Sequence, residues 1–336
     1  MPAFTPGLEL SRQLYRETVA PVLEAAFPDL VYSAAVMGRG SEVLGFDDEM
    51  SRDHNWEPRV SIFVGAKDLA GRGEAIAAAV RGRLPATFRG HPTQFEVVTS
   101  RGYFLDHLGL DIDGEIAARD WLTISEQQLN MFTTGAVFHD DLGLQAVRDR
   151  LAYYPHDVWL YLLVAGWWRV HPEVNLVGRA GFVGDEMGSA LIGSQLVQGL
   201  MRLCFLMEKQ YAPYAKWFGT AFSRLRCAAE LSPSLWSALR ADSWPERESA
   251  LNAAYAVVAA MHNALGITPP VAVEVQQLWN RPFGVIWGDF PGALAAQIRD
   301  PDVKRIAAEW PTGGIDQLRD TLWHPRHRGL LLRMFE

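Results

Sequence analysis

Gly40-Ser41-Glu42-Val43-Leu44-Gly45, followed by Ser51-Arg52-Asp53-His54-Asn55-Trp56, is the stretch whose reading decides the fold. A Gly-Ser turn lets backbone N–H groups come close to a polyanion, because neither residue carries bulk that would hold it off. An acid on the strand that follows can hold the Mg²⁺ or Mn²⁺ that such a polyanion brings with it. Asp53 is read as that acid. Residues two apart on a strand share a face, so Asn55 points the same way. A carboxylate pair there would clasp two Mg²⁺ ions about 3.5–4 Å apart. Asn55 keeps a carbonyl ligand and loses the charge. Turn, acid and metal together point to chemistry on a nucleoside triphosphate.

Outward from this stretch the periodicity reads helix, strand, strand, helix, strand. Residues 8–27 carry Leu8, Leu14, Val19, Leu23 and Phe27 at helical spacing, and Pro28 stops the helix. Residues 31–37 are apolar and lead into the glycine turn; 59–64 alternate through Val60, Ile62 and Val64. Residues 73–84 form an Ala-rich helix closed by Pro85. Residues 94–99 form a third strand, on which Glu96 and Val98 face away from Phe95 and Val97. Glu96 is thus expected as a third metal ligand or as the general base on an acceptor hydroxyl. Arg59 is expected on a phosphate, beside Gly40 and Ser41. Trp56 is read as a base-stacking ring or as core.

Past residue 120 helical patterns dominate, at 124–134, 142–151, 157–170, 185–210, 214–229, 233–241, 245–265 and 289–298. A boundary between 109 and 120 is expected. Arg179, Asp185 and Glu186 flank the start of the long helix and are the candidate acceptor-binding groups. Asp185 is also a natural N-cap, and Glu186 suits the helix dipole. Lys216, set among aromatics, is a further candidate for a phosphate.

Composition narrows the partners. The net charge of −8 argues against general nucleic-acid binding. Two cysteines, Cys204 and Cys227, make no disulfide framework and read as buried free thiols. The apolar run 158–168 is too short to cross a bilayer, and the first residues lack a signal-peptide pattern. A cytoplasmic protein with no membrane partner is expected.

The blocks Gly40 to Gly45 and Ser51-Arg52-Asp53-His54, with Trp56, Pro58 and Arg59, resemble the bacterial DUF4037 family of nucleotidyltransferase-like proteins. The resemblance continues through Asp120-Trp121-Leu122, Gly135 to Asp140, Tyr154 to Trp159, Gly184 to Ser189, Met201 to Leu206, Tyr211 to Phe222 and His262-Asn263. It implies an α+β chain: an N-terminal nucleotidyltransferase-fold mixed sheet with helices over 1–115, then a mainly α-helical substrate-binding domain over 116–336. It also marks departures. The family carries an acid where this chain has Asn55, a glycine where it has Glu57, and an acidic pair where it has Glu173-Val174.

The expected function is Mg²⁺- or Mn²⁺-dependent transfer of a nucleoside monophosphate from an NTP co-substrate to a hydroxyl of a small-molecule acceptor. Asp53, Asn55 and Glu96 form the expected catalytic and metal-binding set. The alternative is a degenerate relative that binds a nucleotide or metabolite without turnover.

Overall fold

The alternation along 59–64 is where the first sheet takes its shape. In the computed structural model, which describes residues 4–53, 56–309 and 312–318, the chain forms two compact units. One gathers the residues up to Asp120 together with Gln127–Ala152. The other gathers Trp121–Glu126 together with the residues from Tyr153 on.

The first unit opens with α1 (Gly7–Leu14), a π-turn (Tyr15–Val19) and α2 (Ala20–Ala26). Then come β1 (Tyr32–Val36), β2 (Arg59–Val64), α3 (Ala66–Arg81), the short pair β3 (Thr87–Phe88) and β4 (His91–Pro92), β5 (Gln94–Val98) and α4 (Ser100–Leu108). After α5 (Ala118–Thr123) and α6 (Glu126–Thr133) follow β6 (Ala136–Asp140) and α7 (Leu144–Arg150). The four-stranded sheet has the order β5-β2-β1-β6. β1 is antiparallel to β2 and β6, while β2 and β5 run parallel. The parallel pair needs a crossover, and α3 supplies it.

One face of the sheet carries Tyr32, Ala34, Val60, Ile62 and Val64, buried with Leu14, Val19, Leu23, Ile76 and Val80 from the helices. Phe95 and Val97 pack against the same core. The other face carries the polar residues Ser33, Ser61 and Glu96. The side-chain period of two makes this division obligatory once one face is buried.

β6 departs from the helical reading of the chain past 120. Its residues 136–140 are hydrogen-bonded to β1, so a segment beyond 116 completes the sheet expected to lie wholly before 115. Gly135 makes this possible. Its φ is +76°, and a side chain there would collide with the Val36 carbonyl. At the strand's end, Asp140 accepts from the Ser33 hydroxyl at 2.7 Å and from the Leu144 and Gln145 N–H groups, capping α7.

The second unit contains α8 (His156–Val170), α9 (Leu176–Phe182), α10 (Glu186–Met207), α11 (Ala215–Phe222), α12 (Ala228–Arg240) and α13 (Trp244–Ala264). A hairpin of β7 (Val275–Gln277) and β8 (Gly284–Ile286) follows, then α14 (Phe290–Ala295) and α15 (Pro301–Glu309). α8 is apolar all round and every residue from Val158 to Trp167 is buried, as such a helix must be. α10 is long and apolar enough to cross a membrane by length and composition; half of its apolar window is buried in the protein, packed with α8, α9, α12 and α13. Small residues let neighbours approach it, Gly193 lying against the Arg247 stem and Gly199 against Val170.

The break expected between the helices at 214–229 and 233–241 falls earlier, between Phe222 and Ala228. Pro233 sits inside α12, whose face of Leu231, Leu235 and Ala238 is buried. That burial outweighs the hydrogen bond the proline cannot donate. Cys204 and Cys227 are buried free thiols.

Candidate functional site

The glycine turn follows β1 directly. Gly38 has φ +88° and Gly40 φ +126°, conformations that side-chain-bearing residues rarely adopt. The Gly38 N–H donates to the Met131 carbonyl at 2.9 Å, and the Phe46 N–H returns to the Ser41 carbonyl at 2.9 Å. Glu42 turns inward and is 1% exposed. Its carboxylate fills the space beside Gly40, where a Cβ would run into it.

Arg59, the first residue of β2, holds this turn. Its guanidinium pairs with the Glu42 carboxylate and donates to the Arg39 carbonyl. The phosphate contact expected of Arg59 therefore competes with two bonds inside the protein. Burial pushes the Glu42 carboxyl above its ordinary range, and the Arg59 charge pulls against it. Glu42 Oε2 has no hydrogen-bond partner among the described residues.

A second polar group lies along the same face. Ser61 and Glu96 are register partners, and the Ser61 hydroxyl donates to Glu96 Oε1 at 2.7 Å. Glu96 is exposed on β5, an edge strand. Tyr103 on α4 donates to the Met37 carbonyl at 3.4 Å and packs edge-on against Phe63, two residues after Ser61. Burial first, and the Glu96 charge second, push the Tyr103 hydroxyl up to about 12. The Glu96–Ser61 pair on one side and the Tyr103–Met37 bond on the other thus flank Phe63 on the face that leads to the foot of the glycine turn.

Asp53 is not on a strand. It ends a 3₁₀ turn, Glu49–Asp53, and β2 begins only at Arg59. The cause is local. Asp48 Oδ1 accepts from the Met50 and Ser51 N–H groups at 2.9 and 3.0 Å, which winds the backbone into a turn. Pro58 then stands between that turn and the ladder. The shared strand face expected for Asp53 and Asn55 is thereby lost for Asp53. Asn55 and the Asp53 side chain lie outside the described residues. Among the described residues no three His, Cys, Asp or Glu side chains gather as a metal-binding group. Glu96 has its second oxygen for such a group, Oε1 being held by Ser61, whereas Glu42 is already paired with Arg59. Trp56 is core: it is 2% exposed and its indole N–H donates to Asp47 at 2.8 Å.

The remaining candidates belong to the second unit. Asp185 is the N-cap of α10 and accepts from the Gly188 N–H at 2.7 Å. Glu186 accepts from the Trp244 N–H at 3.1 Å and from Arg247 at 3.2 Å. Arg247, 5% exposed, also donates to Ser189 and to the Ala241 carbonyl. Asp185 and Glu186 thus tie α10 to its own start and to α13. Arg179 is exposed and donates to Asn175 at 3.2 Å; Lys216 is exposed, its ammonium 4.8 Å from the Trp217 ring centre.

Sequence reasoning left Glu42, Ser61 and Tyr103 without roles. Ser61 was the findable one, a lone hydroxyl between Val60 and Ile62 on a strand. Glu42 gave no local sign of its partner, and Tyr103 lies on a helix that the periodicity did not reveal.

The family match runs across both units. Residues 121–218 match the family DUF4037, described as a domain of unknown function. The match covers part of the chain and leaves the glycine turn outside it. The solved structure of a nucleotidyltransferase-like protein from Exiguobacterium sibiricum 255-15 aligns at 10% sequence identity, covering 76% of this chain and 77% of that one, with a TM-score of 0.32. No curated protein sequence matches the chain.

Proposed function

We propose that the first unit binds a nucleoside triphosphate at the Gly38 to Ser41 turn and transfers its nucleoside monophosphate to a hydroxyl of a small-molecule acceptor in the cytoplasm. The observation that carries this reading is the Glu96–Ser61 pair on the sheet face that also bears Tyr103, whose hydroxyl bonds the Met37 carbonyl at the foot of that turn. It sets a solvent-accessible carboxylate on the face that leads to a backbone turn of the kind that accepts anions. In the reaction the acceptor oxygen forms a bond to the α-phosphorus and pyrophosphate leaves. The acceptor proton passes to Glu96, which Ser61 holds in position. Arg59 keeps the turn in shape through Glu42 and the Arg39 carbonyl. Bound Mg²⁺ or Mn²⁺ would neutralise triphosphate charge, with Glu96, Asp53 and Asn55 as the candidate ligands. Arg179, Asp185, Glu186 and Lys216 remain candidates for contacts to acceptor and phosphate.

A second reading, nucleotide binding without turnover, draws on Asn55 in place of an acid and on Arg59 already satisfied by Glu42. The two separate in one set of assays. The protein is incubated with α-labelled NTPs, Mg²⁺ or Mn²⁺ and a panel of hydroxylated metabolites, and both bound and transferred label are counted. Transfer by wild type that Glu96→Gln lowers about 100-fold, with nucleotide affinity unchanged, supports the first reading. Binding without transfer, converted to transfer by Asn55→Asp, supports the second. Neither binding nor transfer refutes both.

A further inference from the structure

Helices α10, α11 and α12 enclose a cavity of about 360 Å³ in the second unit. Its walls include Val197 and Met201 from α10, Phe222 from α11, and Leu235 and Trp236 from α12. None of the groups assigned to nucleotidyl transfer lines it. The volume falls within the range of pockets that hold small molecules, about 300–1,000 Å³.

The cavity is apolar inside, and a charged side chain lies against one of its wall residues, Trp236. Val197, Phe222 and Leu235 are buried, while Trp236 is 55% exposed, so apolar surface runs from the floor to solvent. A half-exposed indole at the mouth leaves hydrophobic free energy ungained until something covers it. Arg240 stands one turn beyond Trp236 and lays its guanidinium over the indole, 4.5 Å from the ring centre. Arg240 is exposed, and no acidic partner meets it among the described residues. An apolar chamber with an unpaired guanidinium lying on its wall residue Trp236 complements a molecule with a hydrocarbon body and an anionic end. The planar fork of Arg suits a carboxylate.

We propose that this cavity binds a small amphipathic carboxylate, its hydrocarbon part between Met201, Phe222 and Leu235 and its carboxylate on Arg240. The site is independent of the reading of the first unit, and its test uses no nucleotide.

Octanoate, 1-octanol and octylammonium share a chain and differ in the charge of the head. Calorimetric titration of the full chain with each gives the order octanoate, 1-octanol, octylammonium, with octanoate about tenfold tighter than the alcohol. Arg240→Gln brings octanoate down to the level of 1-octanol and leaves 1-octanol unchanged. Leu235→Trp fills the chamber and removes binding of both. Met201→Phe does the same from the opposite wall, should circular dichroism show the first variant unfolded. Octanoate also changes the tryptophan fluorescence of wild type and not that of Trp236→Phe. The proposal is overturned if wild type binds none of the three, or binds all three alike. A dimer that Trp236→Asp dissociates, without octanoate binding, also overturns it and assigns the face to a second copy of the chain.

Discussion

Glu42 in the first unit and Glu126 in the second are both withdrawn from water, 1% and 7% exposed, yet they are compensated differently. Glu42 has a guanidinium. Arg59 pairs with it and in the same reach holds the Arg39 carbonyl, so the charge is spent on the shape of the glycine turn. Glu126 has a backbone partner instead, the Ala212 N–H at 2.6 Å. Burial first, and then the charge of Asp316, push its carboxyl up to about 7, against the pull of Arg202. Glu248 repeats the second pattern. Burial raises it to about 7, the Gly284 N–H opposes, and its Oε1 has no partner among the described residues. A buried acid bonded to a cation fastens geometry; one bonded to no cation holds a proton near neutral pH.

The comparison breaks most visibly at Arg59. Arg59→Ala leaves the buried Glu42 carboxylate without its cation, and a loss of about 4 kcal/mol is expected in denaturant unfolding. Adding Glu42→Gln to that variant should recover much of the loss, because the stranded charge is gone. A single-variant loss below about 1 kcal/mol would show that the pair fastens nothing.

Next in size is the pH dependence set by Glu126. Its pKa rises from 4.5 in the open chain to about 7 in the fold, so folding takes up a proton between these values. The stability tied to the neutral acid is whole below pH 4.5, falls as pH rises, and is gone above pH 7. The loss is on the order of 3 kcal/mol. Glu126→Gln should flatten that slope in unfolding curves taken across the window. A slope unchanged by the substitution assigns it to other groups.

Asp185 gives the smallest effect and the control, an exposed acid doing neither job. Asp185→Ala removes the N-cap of α10 and should cost about 1 kcal/mol, measured at a pH where the carboxylate is charged. If the cap is its whole role, ligand binding in the folded protein stays as in wild type. A large loss of acceptor binding at unchanged stability would return Asp185 to the site.

Much of the fold is legible before any coordinates. The alternation of Val60, Ile62 and Val64 gives β2 at 59–64. Glu96 and Val98 face away from Phe95 and Val97, which pack on the core. Pro28 and Asp185 mark element ends because each acts on its own few residues, whereas the helix expected over 73–84 runs Ala66–Arg81 and ends before Pro85. The site is less legible. Asp53 reads as a strand acid only until the Asp48 side chain is seen to turn the backbone. Arg59 reads as a phosphate ligand only until Glu42, seventeen residues earlier, is seen to hold it.

What the sequence by itself determined is whatever depends on neighbours along the chain: strand alternation, helix starts and stops, the glycine turn, and the replacement of an acid by Asn55. What only the tertiary structure decided depends on pairs far apart. β6 joins the sheet through contacts such as Ser33 with Asp140, 107 residues on. Ser61 meets Glu96 across a parallel ladder, 35 residues on. Glu126 is buried by loops around Ala212 and Asp316. The physical reason is that propensity and periodicity act over one or two turns, whereas burial and charge compensation are set by whichever distant segment the packed chain brings alongside.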